Sequence, residues 1–216
     1  MKRETAEDPK KDPYEYADKV VRALVRVFIR LYAGTNLLPS DELNVLHGVR
    51  ELYEEVYRII REAFLRLGRK AYADRTGEKL TSEKVRRRIS EKWVEEQFEA
   101  FDPVTKTVFK NDLERRRELL FEAIIATGDV PGEMKNALKA LTRQIKQEVI
   151  TVTDAARDAA DEDEGIPRVI WLTRQDERRC AVCGKMHGEI FDFDKVPKKP
   201  HPNCRCWTVP WPFKGD

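Results

Sequence analysis

The chain has 216 residues, 41% of them hydrophobic, enough for a substantial core in one large domain or in a main domain with a small satellite. Charged residues reach 37%, yet 41 Lys plus Arg stand against 39 Asp plus Glu, so no bulk basic field points to nucleic acid. The most apolar stretch, "VVRALVRVFIRLY" at 20–32, is interrupted by Arg22, Arg26 and Arg30, which excludes a membrane span there.

Residues 1–13 are charged, carry Pro9 and Pro13 and have no apolar period, as expected of a flexible N-terminal arm. The same segment lacks the apolar core of an export signal, so the thiols further along are expected to be reduced. From Tyr14 to Ala33, Val21, Leu24, Phe28 and Leu31 recur at helical spacing, which predicts an amphipathic helix closed by Gly34. "PSDE" at 39–42 reads as an N-cap with an acidic first turn.

The next helix carries the clearest period: Leu46, Val49, Tyr53, Val56, Ile60, Ala63 and Leu67 form a heptad seam. Leu52 and Ile59 widen that stripe, which favours packing inside a bundle over a two-stranded coil. Gly77 and "TSEK" at 81–84 mark a restart, followed by Val85, Ile89, Trp93 and Phe98 on one helical face, and "FDP" at 101–103 breaks it. A fourth helix is expected from Val104 to Thr127. "GDVPGE" at 128–133 turns the chain into a fifth, with Leu138, Leu141, Ile145, Val149, Val152 and Ala156, reaching Ala160. The acidic run "DAADEDEG" at 158–165 is unfavourable at a helix C-terminus and precedes Pro167, so the helix is expected to fray there.

After Gly165 the pattern changes. "RVIWLT" at 168–173, "EIFDF" at 189–193 and "CWTVPW" at 206–211 read as three short strands. The fold class is therefore mainly α: an elongated multi-helix bundle over residues 14–164, with a small C-terminal α+β or β-hairpin module over 165–216.

That module holds all four cysteines and two of the three histidines. Cys180-Ala-Val-Cys183-Gly184 has the form of a metal knuckle, in which a two-residue spacer lets both thiolates face one ion and the glycine can take a positive φ. His201, Cys204 and Cys206 supply the second half, giving five candidates for the four positions of a tetrahedral zinc ion. Donors this soft and this numerous point to a closed structural Zn2+ site that replaces a hydrophobic core. Disulfides are the alternative, disfavoured by the reducing compartment. His187 is read as a surface residue or a support as readily as a ligand.

The ordered set "WLTRQDERRCAVCGKMHGEIFDF" followed by "HPNCRC" resembles the C-terminal signature of the phage Mu F-like minor head proteins, the head morphogenesis family of tailed bacteriophages. The positions that carry it are Trp171, Asp176, Arg178, Cys180, Cys183, Gly188, His201, Pro202, Cys204, Arg205 and Cys206. "VITVTDAARDAAD" at 149–161 is similar to the family's Arg-Thr-Glu helix, with a loose match at Thr151 to Asp154. The likeness covers roughly the last 70 residues. It implies a structural virion protein, not an enzyme, made in the host cytoplasm and held inside the capsid at the portal vertex. Its implied partners are the portal protein and other capsid proteins, and its implied work is head assembly with genome packaging or ejection; the long helices with their heptad seam would also suit packing against further copies. Around the ion, Asp176 and Arg178 are expected to fasten the strand turn, Gly188 to open a strand, and Trp171 and Trp207 to pack over the site.

Two other readings compete. A His-Asn-His-type nuclease is suggested by His187, His201 and Asn203 beside the knuckle, although the paired histidine and second Cys-x-x-Cys such enzymes use are missing. A zinc-ribbon protein touching packaged DNA could use Arg86, Arg87 and Arg88, Arg115, Arg116 and Arg117, and Lys198 with Lys199.

Overall fold

A computed structural model describes residues 15–34, 37–174 and 179–212. The expected N-terminal arm, and with it Asp176 and Arg178, lies outside the described residues. In chain order the helices are α1 (Glu15–Gly34), α2 (Glu42–Thr76), α3 (Glu83–Arg88), α4 (Glu91–Glu99), α5 (Phe109–Thr127), α6 (Val130–Asp163) and α7 (Ala181–Met186). The strands are β1 (Phe101–Asp102), β2 (Thr107–Val108), β3 (Arg168–Thr173), β4 (Ile190–Asp192) and β5 (Cys206–Pro210).

Two long helices form the spine. α2 has 35 residues and α6 has 34, each about 50 Å long at 1.5 Å per residue. They pack on each other, α1 and α5 lie against both, and α3 and α4 cover the far part of α2. No described helix is long and apolar enough to cross a membrane.

α2 starts where the capping signal placed it, with the Asp41 carboxylate accepting the Asn44 N–H at 3.1 Å. Its buried stripe runs through Val45, Val49, Leu52, Val56, Ile60, Phe64, Leu67 and Ala71, a period of about 3.7 residues rather than the 3.5 of a heptad seam. That difference corrects the predicted seam: Leu46 is 49% exposed and Ala63 only partly buried, while Val45 and Phe64 take the inner positions. Where α2, α4 and α5 meet, Tyr57, Phe64, Phe98 and Phe109 form an aromatic cluster with centroids 5.0–5.9 Å apart.

Two helical expectations break at caps and turns. The single helix expected through Val85 and Phe98 is two, because the Ser90 hydroxyl caps α4 by accepting the Trp93 N–H at 3.2 Å. The helix expected from Val104 starts at Phe109. Ahead of it Asp102 makes a turn, its side chain accepting the Val104 N–H and its carbonyl the Lys106 N–H, each at 2.7 Å. Lys106 then takes φ 58°, and β1 pairs with β2.

α6 does not fray at its acidic end; it continues to Asp163. The carboxylates there are answered by cations and a hydroxyl from α2 and from the α3 region. Arg75 clasps Asp161 through Nε (2.7 Å) and Nη2 (2.6 Å), Tyr72 donates to Asp163 at 2.7 Å, Arg88 reaches Glu162 and Asp163, and Lys84 reaches Glu164 at 2.9 Å. External charge thus offsets the unfavourable helix dipole.

Glu148, halfway along α6, is buried, and that burial, with the Asp102 and Asp112 carboxylates nearby, pushes its pKa up to about 8. Between the ordinary carboxylate range and about 8 the folded protein keeps a proton that the unfolded chain releases. Stability from this group is complete below that window and is lost as pH rises through it. Glu148→Gln is expected to stabilise the protein by roughly 2–4 kcal/mol near pH 8.5 and far less at pH 5. Urea denaturation of both proteins at the two pH values checks this, and parallel pH dependences would refute it.

Candidate metal centre

The three-stranded sheet has the order β4-β3-β5, antiparallel throughout. Its strands fall where β-branched and aromatic residues predict them, and alternation gives it two different faces. Ile170 and Leu172 on β3, opposite Val209 and Trp207 on β5, join the core shared with the helices. Trp171 and Thr173 look the other way, and with Cys206 they face the sulfur cluster, joined by Phe191 from β4. Trp207 therefore does not pack over the cluster as expected, because a strand turns the side chain after Cys206 to the opposite face.

The knuckle is the start of a short helix. Cys180 caps α7, its Sγ accepting the Cys183 N–H at 3.3 Å. Gly184 lies within that helix and needs no positive φ; Gly188 does, at φ 86°, where its N–H meets the Trp171 carbonyl at 2.8 Å and the chain enters β4. The loop 201–204 completes the ring of donors, with Asn203 at φ 55°.

The five sequence candidates come together as two triads within 4.8 Å: Cys180 with Cys183 and His201, and Cys183 with Cys204 and Cys206. Cys183 belongs to both. Its Sγ lies 3.6 Å from His201 Nε2 and 3.6 Å from Cys204 Sγ. Ligands on one tetrahedral zinc would lie ~3.8 Å apart for two sulfurs and ~3.6 Å for sulfur and nitrogen. A disulfide would require ~2.05 Å, and all four cysteines are free.

The electrostatics suit a cation. The Cys183 N–H is the main influence holding the Cys180 thiol down to about 7. The Cys206 thiol falls to about 5, chiefly through a hydrogen bond from Cys204, with Thr173, Cys183 and Trp171 adding to it and burial opposing. Burial pushes Cys183 up to about 12, and Cys204 is raised first by its bond to Cys206 and then by burial. Thiolate character is thus already favoured at two of the four sulfurs. The Trp171 indole N–H is buried beside the Cys206 sulfur, whose thiolate it favours. His201 Nδ1 lies 3.0 Å from the Pro202 carbonyl. Donating there leaves Nε2 as the lone-pair donor facing Cys183, the orientation a metal-binding imidazole uses.

His187 is outside the triads; its Nδ1 accepts the Thr173 N–H at 3.0 Å and ties α7's end to β3. Two residues that sequence reasoning passed over support the cluster from behind. Thr173 braces Cys206, and Gln147 on α6 accepts the Asn203 N–H within the ligand loop. Of the suggested DNA contacts, Arg88, Arg116 and Lys199 are engaged in ion pairs with Glu162 and Asp163, Asp112, and Asp154. Arg86, Arg87, Arg115 and Lys198 are exposed, and Arg117 is partly buried.

Fold and cluster together define a helical-bundle protein whose C-terminal sheet is backed by a cysteine and histidine cluster able to hold a metal ion. The chain belongs to the Phage Mu protein F like family, whose model matches residues 96–209, from within α4 through the cysteine and histidine cluster to β5. The match reaches well upstream of the tail signature, through the hairpin, α5 and α6. No curated protein and no solved structure matches the chain.

Proposed function

We propose that this chain is a structural minor head protein of a tailed bacteriophage, held inside the capsid at the portal vertex, where it supports head morphogenesis and genome packaging or ejection. The observation that carries this reading is the family match over residues 96–209, which spans the whole donor set. Its partners are the portal protein, other capsid proteins and further copies of itself. In the same reading the ion is zinc, held by Cys183 with three of Cys180, His201, Cys204 and Cys206. When bound, it supplies a cross-link between α7 and the loop 201–206, and no reaction. Both tail imidazoles have structural tasks, His187 as acceptor for Thr173 and His201 against Cys183 and Pro202, which supports this reading over a nuclease base at either position.

Elemental analysis of purified protein is expected to find one zinc per chain, and a capsid reconstruction to place matching density at the portal vertex. Absence of stoichiometric metal would refute the zinc assignment, and absence from the purified head would refute the virion role. Direct contact with packaged DNA rests on the exposed Arg86, Arg87, Arg115 and Lys198. If these four cations make the contacts, log affinity for duplex DNA is expected to fall with log salt at a slope of no more than about 4. Charge reversal at Arg86 and Arg87 should lower that slope by about 2.

A further inference from the structure

We propose that Gln147 is a positioning residue for the metal centre, holding the ligand loop in its binding conformation and linking metal occupancy to the hairpin 101–108. This rests on the metal reading above and adds a part played by the helical body.

Gln147 is buried on α6, 5% exposed. Its Oε1 accepts the backbone N–H of Asn203, which directly precedes the donor Cys204 and lies two residues after His201. Its Nε2 donates to Asp102 Oδ2 and Thr151 Oγ1, each at 3.3 Å. A backbone N–H can only donate and a carboxylate only accept, so the two partners fix the amide's orientation. Asn203 sits at φ 55°, in the left-handed region that Asn tolerates better than other side-chain-bearing residues, where the loop turns between two donors. The bond to Gln147 captures the amide of that residue. If the loop relaxed, His201 and Cys204 would leave the positions that bring them to 3.6 Å from Cys183.

The other arm runs to the hairpin. Asp102 spends its second oxygen and its carbonyl on the Val104 and Lys106 N–H groups that shape the β1–β2 turn. One side-chain amide therefore joins the ligand loop to a hairpin whose first strand carries Phe101, which is 61% exposed. Linkage requires that an ion ordering the loop also strengthen the hairpin's hold, and the reverse.

The test uses the full chain with Co2+ as probe, reading affinity by chelator competition and ligand set by the visible ligand-field bands. Gln147→Ala is expected to bind Co2+ about 10–100-fold more weakly with band positions unchanged, since no ligand is lost. Gln147→Glu should also weaken binding, because it faces the Asp102 carboxylate. Gln147→Glu combined with Asp102→Asn reverses the polarity of that bond and should restore affinity to within about threefold of the unsubstituted protein. Hydrogen exchange supplies the second readout. Co2+ should slow amides in 101–108 as well as 201–206, and in Gln147→Ala the hairpin response should vanish at saturating metal. Unchanged affinity in Gln147→Ala, or failure of the double variant to recover, overturns the role of Gln147 while leaving the metal site standing. No Co2+ binding by the unsubstituted chain overturns both.

Discussion

Replacing Arg75 by alanine is expected to destabilise the fold by about 3–5 kcal/mol, among the largest losses any single side chain outside the metal cluster should give. Arg75 and Asp161 have side chains 2% and 1% exposed and meet in a two-pronged pair. The remaining nitrogen, Nη1, donates to the Thr208 carbonyl at 3.1 Å. One guanidinium thus fastens the end of α2 to α6 and to β5. Removing it strands a buried carboxylate and an unsatisfied carbonyl, which costs more than the intact pair contributes. For a chain of this size the loss corresponds to roughly 6–20 °C in melting temperature. The double variant Arg75→Met with Asp161→Leu removes both charges and should recover most of it, short of about 1 kcal/mol for the Thr208 carbonyl. Thermal denaturation followed at the helical band measures all three proteins; a loss below about 1 kcal/mol in Arg75→Ala would refute the assignment of this pair as a fastener.

Nothing in the sequence singles out that pair. The two residues are 86 positions apart, and the chain offers 41 basic and 39 acidic side chains to combine. The same ignorance made the end of α6 look unfavourable, since its acidic run is stabilising only once Arg75, Arg88 and Lys84 are known to face it. Gln147 was hidden for the same reason, with its partners Asp102 and Asn203 lying 45 and 56 residues away. Local signals, by contrast, were dependable. The strands follow from runs of Val, Ile and Trp, and the N-cap at Asp41 from its own side chain.

Some errors were avoidable from the sequence. Ser90 before Glu91 is a capping signal inside an otherwise continuous apolar period, and "DPVTKT" offers an Asp turn followed by β-branched residues, a poor helix start. The five donors were legible because thiolate and imidazole chemistry demands close spacing at each half-site. Trp207 follows Cys206 directly, so strand alternation alone could have sent it to the opposite face. Leu46 is subtler: a 3.5-residue and a 3.7-residue period agree over two turns and diverge over the 35 residues of α2.

On the zinc reading, stripping the ion, or replacing Cys183 by serine, is expected to release the sulfur-lined face of the C-terminal module while leaving the bundle and the helix-facing side of the sheet intact. Cys183 is the donor common to both triads, so its loss should take metal content from the one ion per chain proposed above to near zero. Structural zinc contributes roughly 10–16 kcal/mol in small isolated domains. Here the sheet has a second attachment, because Leu172, Trp207 and Val209 lie in the helical core, and Arg75 holds the Thr208 carbonyl. The two faces should therefore part company. Trp171, packed with Cys183, Cys204 and Cys206, should lose its fixed surroundings and its near-ultraviolet dichroism, while Trp207 keeps its helical contacts and far-ultraviolet ellipticity changes little. Amide exchange should accelerate in 180–206 and stay slow in α2 and α6, whose buried apolar residues belong to the helical core and not to the sulfur cluster. Were the stripped protein to keep Trp171 immobilised, packing alone would be holding that face and the cluster would have no structural task. Were the helices to melt as well, sheet and bundle would form one cooperative unit, with the ion stabilising the whole chain.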